Sequence, residues 1–334
     1  MIETYAYARA GLLGNPSDGY FGKTIAFIMR NFRARVLLYP SARLEIRPSK
    51  ADVSSWENLE DLRETTRWRG YYGGIRIIQA LLKRFTDYCE EEGIRLHDRN
   101  FTVEYESTIP LRLGMGGSSA IVIAAIRALQ EFFEVDISEP IQAKLALETE
   151  TRELGVGAGL QDRVVQVYEG LVYMDFSRDL LESRGYGEYE RLDPALLDKV
   201  YVAYRTSLSE GTEIFHNNIR ARFEEGDQVV IDAMQQWAGM ALDGRQALVD
   251  ADPKRLGELI NANFDLRRQM YKHISPGNLD LVRAARAAGA TAKFAGSGGT
   301  IVGTFEDEPH LAELSEALAS VGAATIRPQV TAPE

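Results

Sequence analysis

Cysteine is nearly absent. The 334 residues contain one, Cys89, which cannot close an intrachain disulfide, so nothing requires an oxidising compartment. It falls in an amphipathic stretch, Ile75 to Glu92, where a small apolar side chain is expected to be buried packing. Histidine is also scarce: His97, His216, His273 and His310 are scattered without metal-ligand spacing, which argues against a zinc site. Positive charge is in deficit, 38 Lys and Arg against 49 Asp and Glu, for a formal net charge of −11. A nucleic-acid binder would show a basic stripe, so no nucleic acid is expected as a partner. Long apolar runs are missing too. The longest, Ala120 to Ile126, is stopped by Arg127 and is too short to cross a bilayer. The start of the chain has no basic-then-apolar signal pattern, and a cytoplasmic protein without a membrane partner is expected.

What is present is the composition of an ordinary globular protein, 45% hydrophobic and 26% charged, long enough for two domains with filled cores. Alternation and β-branched or aromatic content predict strands at Thr4–Ala10, Arg33–Tyr39, Arg43–Arg47, Phe101–Ser107 and Gly170–Phe176. Apolar spacing predicts helices at Gly74–Glu92, Ser118–Glu134 and Pro140–Leu154. In the second half strands are expected at Lys199–Arg205, Ala292–Ala295, Thr300–Phe305 and Ala324–Arg327. Helices are expected there at Asp227–Asp250, Pro253–Tyr271, Asn278–Gly289 and Glu308–Val321. This order reads as α+β. The polar stretch Ser177 to Asp193 marks the expected boundary between domains 1–185 and 186–334, and the tail Pro328–Glu334 is expected to fray.

The segment richest in chemistry is Pro110-Leu-Arg-Leu-Gly-Met-Gly-Gly-Ser-Ser-Ala120, a glycine turn between a strand and an apolar helix. Such a turn gathers free backbone N–H groups at a helix N-terminus, where the dipole favours an anion. Gly114, Gly116, Gly117 and Ala120 keep side chains out of the way of a phosphate, and the Ser118 and Ser119 hydroxyls can cap the helix or reach a phosphate-bound Mg²⁺. Taken alone, the same residues also fit a tight turn with an ordinary serine N-cap.

A second cluster, Gly155-Val-Gly-Ala-Gly-Leu-Gln-Asp162-Arg163, places Asp162 at an apparent helix start. The dipole stabilises a carboxylate there, which could take the proton of an attacking hydroxyl or simply cap the helix. Glu148 and Glu150 precede it on a helix and, on their own, read as solvated charges. A third cluster, Lys293-Phe-Ala-Gly-Ser-Gly-Gly-Thr300, is compatible with a ligand-closing loop or with a hairpin turn. Gly22-Lys23-Thr24 resembles the end of a P-loop, but Ser17 stands where the first glycine is needed. No segment completes a dinucleotide fingerprint.

The three clusters in order, with Arg9-Ala-Gly-Leu-Leu-Gly-Asn-Pro-Ser-Asp-Gly-Tyr20 before them, resemble the GHMP kinase superfamily over nearly the whole chain. Met115 replaces a common leucine of the phosphate loop, and Thr300 stands where many members continue with glycine. Within the superfamily, Gly14–Thr24, Gly70–Gly74, Gly159–Arg163, Asn263–Arg268 and Lys293–Gly299 are most similar to glucuronokinases and related sugar 1-kinases. The heptose-phosphate kinases share the loop and the Gln161-Asp162 pair.

The resemblance implies a two-domain fold, an N-terminal α/β domain and a C-terminal ferredoxin-like α+β domain with the active site in the cleft. It implies ATP-dependent phosphorylation of the anomeric hydroxyl of a sugar or uronic acid, D-glucuronate foremost, with heptose phosphate, galacturonate, galactose and arabinose as alternatives. A non-catalytic sugar sensor and an ATP-consuming decarboxylase remain as other classes. It further implies Asp162 as catalytic base, Arg9 beside the transferring phosphoryl, and the loop from Gly114 to Ala120 on the phosphates. Ser118 or Ser119, with Glu150, supplies the Mg²⁺ ligands, Ser119 being the serine chosen. Asn15, Asp18, Tyr20, Lys23, Tyr72, Gly73, Arg268 and Gly298 fall on the sugar, and Trp56 to Tyr72 borders the adenine. A uronate needs a cation for its carboxylate, for which Arg267, Arg268 and Lys23 are the candidates. A homodimer is left open.

Overall fold

The computed structural model describes residues 1–50, 52, 56–69, 73–208, 213–271 and 273–332, with the backbone alone at 65, 67–69 and 213–218. The chain forms two compact units that interleave along the sequence, so their limits differ from a boundary at residue 185. The first comprises 1–8, 32–109 and 116–167, and the second 9–31, 110–115 and 168–334.

The first unit is organised around β1 (Ile2–Leu13) in its opening residues and the second half of β2 (Lys23–Pro40). That half of β2 pairs antiparallel with β4 (Phe101–Ser107), from Ala34 opposite Ser107 to Pro40 opposite Phe101, and β4 pairs parallel with β3 (Glu45–Arg47). β-branched and aromatic residues on alternate positions of β4 bury Phe101, Val103 and Tyr105 on one face, as the alternation predicts. The helices of this unit are α1 (Leu59–Arg69), α2 (Gly74–Glu91), α3 (Gly117–Phe133), α4 (Glu139–Glu148) and α5 (Leu160–Tyr168). Almost every α3 residue from Ser119 to Ala128 is buried, because the run is apolar all round and needs cover on every side. Cys89 on α2 is buried, as expected. The helix predicted to Leu154 is instead α4 followed by a π-helical turn, Thr149–Glu153, which rotates the residues after Glu148.

In the second unit, the first half of β2 pairs antiparallel with β5 (Leu171–Asp175), and β5 with β6 (Glu188–Leu192). The stretch Ser177 to Asp193, read as a boundary, folds as α6 (Arg178–Arg184) and β6. A separate antiparallel sheet has the order β10 (Ala324–Ile326), β7 (Val200–Tyr204), β9 (Thr300–Thr304), β8 (Lys293–Phe294). The helices α7 (Glu213–Glu224), α8 (Gln228–Val249), α9 (Pro253–Met270), α10 (Pro276–Ala287) and α11 (Glu308–Ser320) complete this unit. Three of them begin at an aspartate whose carboxylate accepts a backbone N–H of the first turn: Asp227, Asp252 and Asp307. The tail does not fray up to Gln329: Arg30 N–H donates to its carbonyl at 2.9 Å, and its own N–H donates to Asn31 Oδ1 at 2.8 Å. Among the described residues no helix is long and apolar enough to cross a membrane.

Trp237 of α8 is fully buried among Tyr20, Ile219, Met234, Leu266 and Tyr271. Its indole N–H donates to the Asn263 carbonyl at 3.1 Å. The Asn263 side chain in turn accepts the Gly14 N–H at 2.8 Å and donates to the Asn15 carbonyl at 3.3 Å, so the tryptophan supports the residue that holds the first glycine turn. Trp237→Ala is expected to lower stability by about 3–5 kcal/mol through the cavity it leaves. Urea unfolding checks this, and a loss below about 1 kcal/mol would contradict the packing described.

Candidate active site

The site residues fall into two groups, one in each unit. In the first unit, α3 begins at Gly117 after Gly116, whose φ of 73° is in the left-handed region that glycine tolerates. Two side chains close on the Gly116 carbonyl. The Gln166 amide donates to it at 2.8 Å, and the Ser119 hydroxyl, buried, donates to it at 3.1 Å. Ser118 faces the other way, and its hydroxyl donates to Glu150 Oε1 at 2.7 Å. Of the two serines it is thus Ser118, and not the Ser119 read as a metal ligand, that meets Glu150. Successive residues of a helix point about 100° apart, and the phase of α3 turns Ser118, not Ser119, to the carboxylate.

Glu150 lies in the π-helical turn and is 1% exposed; Glu148 is 8% exposed and bridges Arg84 and Arg152. Neither is the solvated charge that the sequence suggested, because each has a cationic partner that permits burial. For Glu150 that partner is Arg163, one residue beyond Asp162, which also donates to the Gly159 carbonyl at 2.9 Å. Asp162 stands in the first turn of α5, as predicted, with 18% of its side chain exposed. The Gln161 amide is 3.5 Å from Asp162 Oδ1 and an Arg163 guanidinium nitrogen 3.8 Å from Oδ2. Dipole, arginine and amide together favour a charged, partly accessible carboxylate. Gly73 is the N-cap of α2, next to Gly74, whose N–H donates to Asp52 Oδ1 at 3.0 Å. Tyr72, and Tyr71 beside it, lie outside the described residues; Trp56 is 39% exposed.

In the second unit three buried cations hold the glycine segments by their carbonyls. Arg9 donates to Gly114 O and lies 3.4 Å from Ala295 O. Arg267 donates to Gly296 O at 3.2 Å and Ser297 O at 3.4 Å, and its guanidinium lies against the rings of Tyr271 and Phe294. The Lys293 ammonium has three acceptors, Gly11 O and Phe294 O at 2.8 Å and Asn15 Oδ1 at 2.6 Å. Burial depresses the basicity of Arg267 and holds Lys293 well below the ordinary lysine value, the neighbouring Arg267 and Arg9 adding to the shift. Close backbone approach makes the glycines necessary. A Cβ on Gly296 would meet Gly114 O at 2.2 Å, and one on Gly114 would meet the Ser297 N at 2.7 Å. Gly298 adopts φ 148°, and the next N–H, of Gly299, donates to Asn278 Oδ1 at 2.6 Å.

Asn15 and Tyr20 are buried and Asp18 half-buried in the turn that the first motif predicts. Two of the three cations named for a carboxylate are engaged or directed elsewhere in this structure. Lys23 is ion-paired to Asp175 and lies 3.3 Å from Ser177 Oγ; burial opposes ionisation of Asp175, but the lysine and the serine bonds hold its carboxyl below the usual range. Arg268 points outward, beside a 210 Å³ cavity with Leu279 and Arg283, one helix position away from the buried Arg267. Sequence reasoning missed the buried cations Arg163 and Lys293, although both stood inside quoted motifs.

Comparison with known proteins agrees with this arrangement of motifs. Residues 76–170 match the family model described as GHMP kinases N terminal domain, and 245–324 the one described as GHMP kinases C terminal. Glucuronokinase 1 of Arabidopsis thaliana is 40% identical over 99% of this chain and 92% of its own length. Probable glucuronokinase 2 of the same plant is 44% identical over 95% and 87%. Among solved structures, Streptococcus pneumoniae phosphomevalonate kinase in complex with phosphomevalonate and AMPPNP superposes with a TM-score of 0.77. The alignment covers 99% of this chain and 100% of that one, and its 15% identity speaks to the fold alone.

Lys293→Met would leave three buried acceptors unmet and is expected to cost about 2–4 kcal/mol. Because the lysine loses its proton more readily folded than unfolded, the unfolded chain binds more protons, and this contribution to stability rises with pH. Urea unfolding of both proteins at about pH 7 and about pH 9 checks this: the wild-type advantage should widen at the higher pH, and a narrowing would contradict the buried state of the lysine.

Proposed function

We propose that this chain, which belongs to the GHMP kinase family, transfers the γ-phosphoryl group of ATP to the anomeric hydroxyl of D-glucuronate, giving D-glucuronate 1-phosphate and ADP. The observation that carries the reading is the 40% identity to a glucuronokinase over 99% of the chain. The presence together of Asp162, Ser118, Glu150 and Arg9 supports catalysis over a sugar sensor, which need not retain a chemistry set.

In this reading Asp162 accepts the proton of the C1 hydroxyl, so that the oxygen forms its bond to the γ-phosphorus as the bond to the β-phosphate oxygen breaks. Its place at the first turn of α5 favours the ionised form that this step needs. The N–H groups at the start of α3 hold phosphate oxygens, with Gly114, Gly116 and Gly117 allowing close approach. Arg9 fixes the Gly114 carbonyl and adds positive charge for the phosphoryl group. Asn15, Asp18 and Tyr20 face the sugar.

Magnesium is the usual companion of ATP in phosphoryl transfer, where it neutralises phosphate charge. It is held by one or two carboxylates together with phosphates and water, and the Ser118 hydroxyl and Glu150 carboxylate, in contact at 2.7 Å, are groups of that chemistry. Arg163 would hold Glu150 in orientation there. The use of ATP and the single buried cysteine accord with a cytoplasmic enzyme.

Coupled ADP release with Mg-ATP tests the proposal against D-glucuronate, D-galacturonate, D-galactose, D-glucose, L-arabinose and a heptose 7-phosphate. D-glucuronate should give the highest kcat/KM. A preference for the heptose phosphate would change the acceptor, and binding without ADP release would make the protein a sensor. Asp162→Asn should lower kcat by roughly 10²-fold or more with little change in thermal unfolding. Near-normal turnover in that variant would remove Asp162 as the base.

A further inference from the structure

Lys23 is paired to Asp175 and Arg268 is turned outward, so neither is placed to meet the carboxylate of a uronate. Arg267 is a poor candidate. It is 5% exposed, and the bonds it makes are to the Gly296 and Ser297 carbonyls.

Arg220 is different. It follows the buried Ile219 on α7, is exposed, and among the described residues makes no hydrogen bond or ion pair. Its guanidinium lies 5.8 Å from the centre of the Tyr20 ring, and its Nη2 is 3.5 Å from where a Cβ on Gly19 would stand. It is thus an available cation directly over the turn Asp18-Gly19-Tyr20. The position is set by packing, since Ile219 and Phe223 on either side belong to the same apolar cluster as Tyr20, Trp237 and Tyr271.

A second observation in that cluster is independent of the first. The Tyr271 hydroxyl is buried and has no hydrogen-bond partner among the described residues. An orphaned buried hydroxyl is costly, and a ligand acceptor is one way of satisfying it. Burial raises the pKa of this phenol, Arg267 opposing the shift and Asp18 adding to it, so the group stays protonated and able to donate. Tyr20 is what the two share: its ring packs in one apolar cluster with Tyr271, and the Arg220 guanidinium lies over it.

We propose that Arg220 and the Tyr271 hydroxyl form the subsite that recognises the carboxylate of a hexuronate, and so select an acidic sugar over its neutral counterpart. This rests on the sugar 1-kinase reading given above. A guanidinium offers two parallel donors to a carboxylate, and the neutral sugar lacks the acceptor that makes the bond charge-assisted.

The test is steady-state kinetics of wild type, Arg220→Gln, Arg220→Lys and Tyr271→Phe with D-glucuronate and D-glucose. Arg220→Gln should lower the glucuronate-to-glucose ratio of kcat/KM by about ten- to hundred-fold, the loss appearing in KM for glucuronate. Arg220→Lys should restore part of it, and Tyr271→Phe should lower the ratio several-fold. Equal losses on both sugars would mean a structural role, and an unchanged ratio would mean no role; either overturns the subsite while leaving the kinase reading intact. A wild-type enzyme that phosphorylates D-glucose and not D-glucuronate overturns the kinase reading for uronates, and the subsite with it.

Discussion

Three buried cations bonded to backbone carbonyls are the constraint on which the second unit depends. Arg9 from the start of the chain, Arg267 near its end and Lys293 close behind join the segments around Gly11, Gly114 and Gly296. Carbonyls satisfy the donors of these groups, and the two arginines keep the charge that a carboxylate would cancel. The result is a region of positive potential inside a protein whose formal charge is −11. Such a region is suited to phosphate, and the glycines in it are required because the backbones approach to within distances that a Cβ would fill.

The first unit solves a complementary problem. It buries an acid, Glu150, within reach of a helix N-terminus that would bind phosphate. Arg163 makes that burial tolerable, and Ser118 is the hydroxyl that meets it. The π-helical turn matters here because one extra residue per turn rotates Glu150 away from the surface that a continued α4 would have given it. Asp162 and Arg163 are adjacent on α5 yet act differently. The arginine is buried against Glu150, and the aspartate remains partly accessible.

Much of this was legible in the sequence where composition and spacing act locally. The alternation of Phe101 to Ser107 marked β4 to the residue, and the glycine-serine run marked the start of α3 within one position. What was not legible depends on helix phase and on distant partners. Ser118 and Ser119, or Arg267 and Arg268, are chemically equivalent as neighbours, and about 100° of helical rotation separates the one that faces inward from the one that does not. Glu150 looked solvated because Arg163, thirteen positions on, could not be assigned to it from spacing. Arg220 drew no notice because the Tyr20 ring it lies over is far away in sequence.

The central claim is that phosphoryl transfer goes to the anomeric oxygen. It is tested most directly by NMR of the product formed from D-glucuronate and Mg-ATP, observing the coupling between phosphorus and the sugar proton at C1. The account predicts a single phosphorylated product whose phosphorus couples to H1. Phosphorus coupled to any other ring proton, or ADP formed with no phosphorylated sugar, would contradict it.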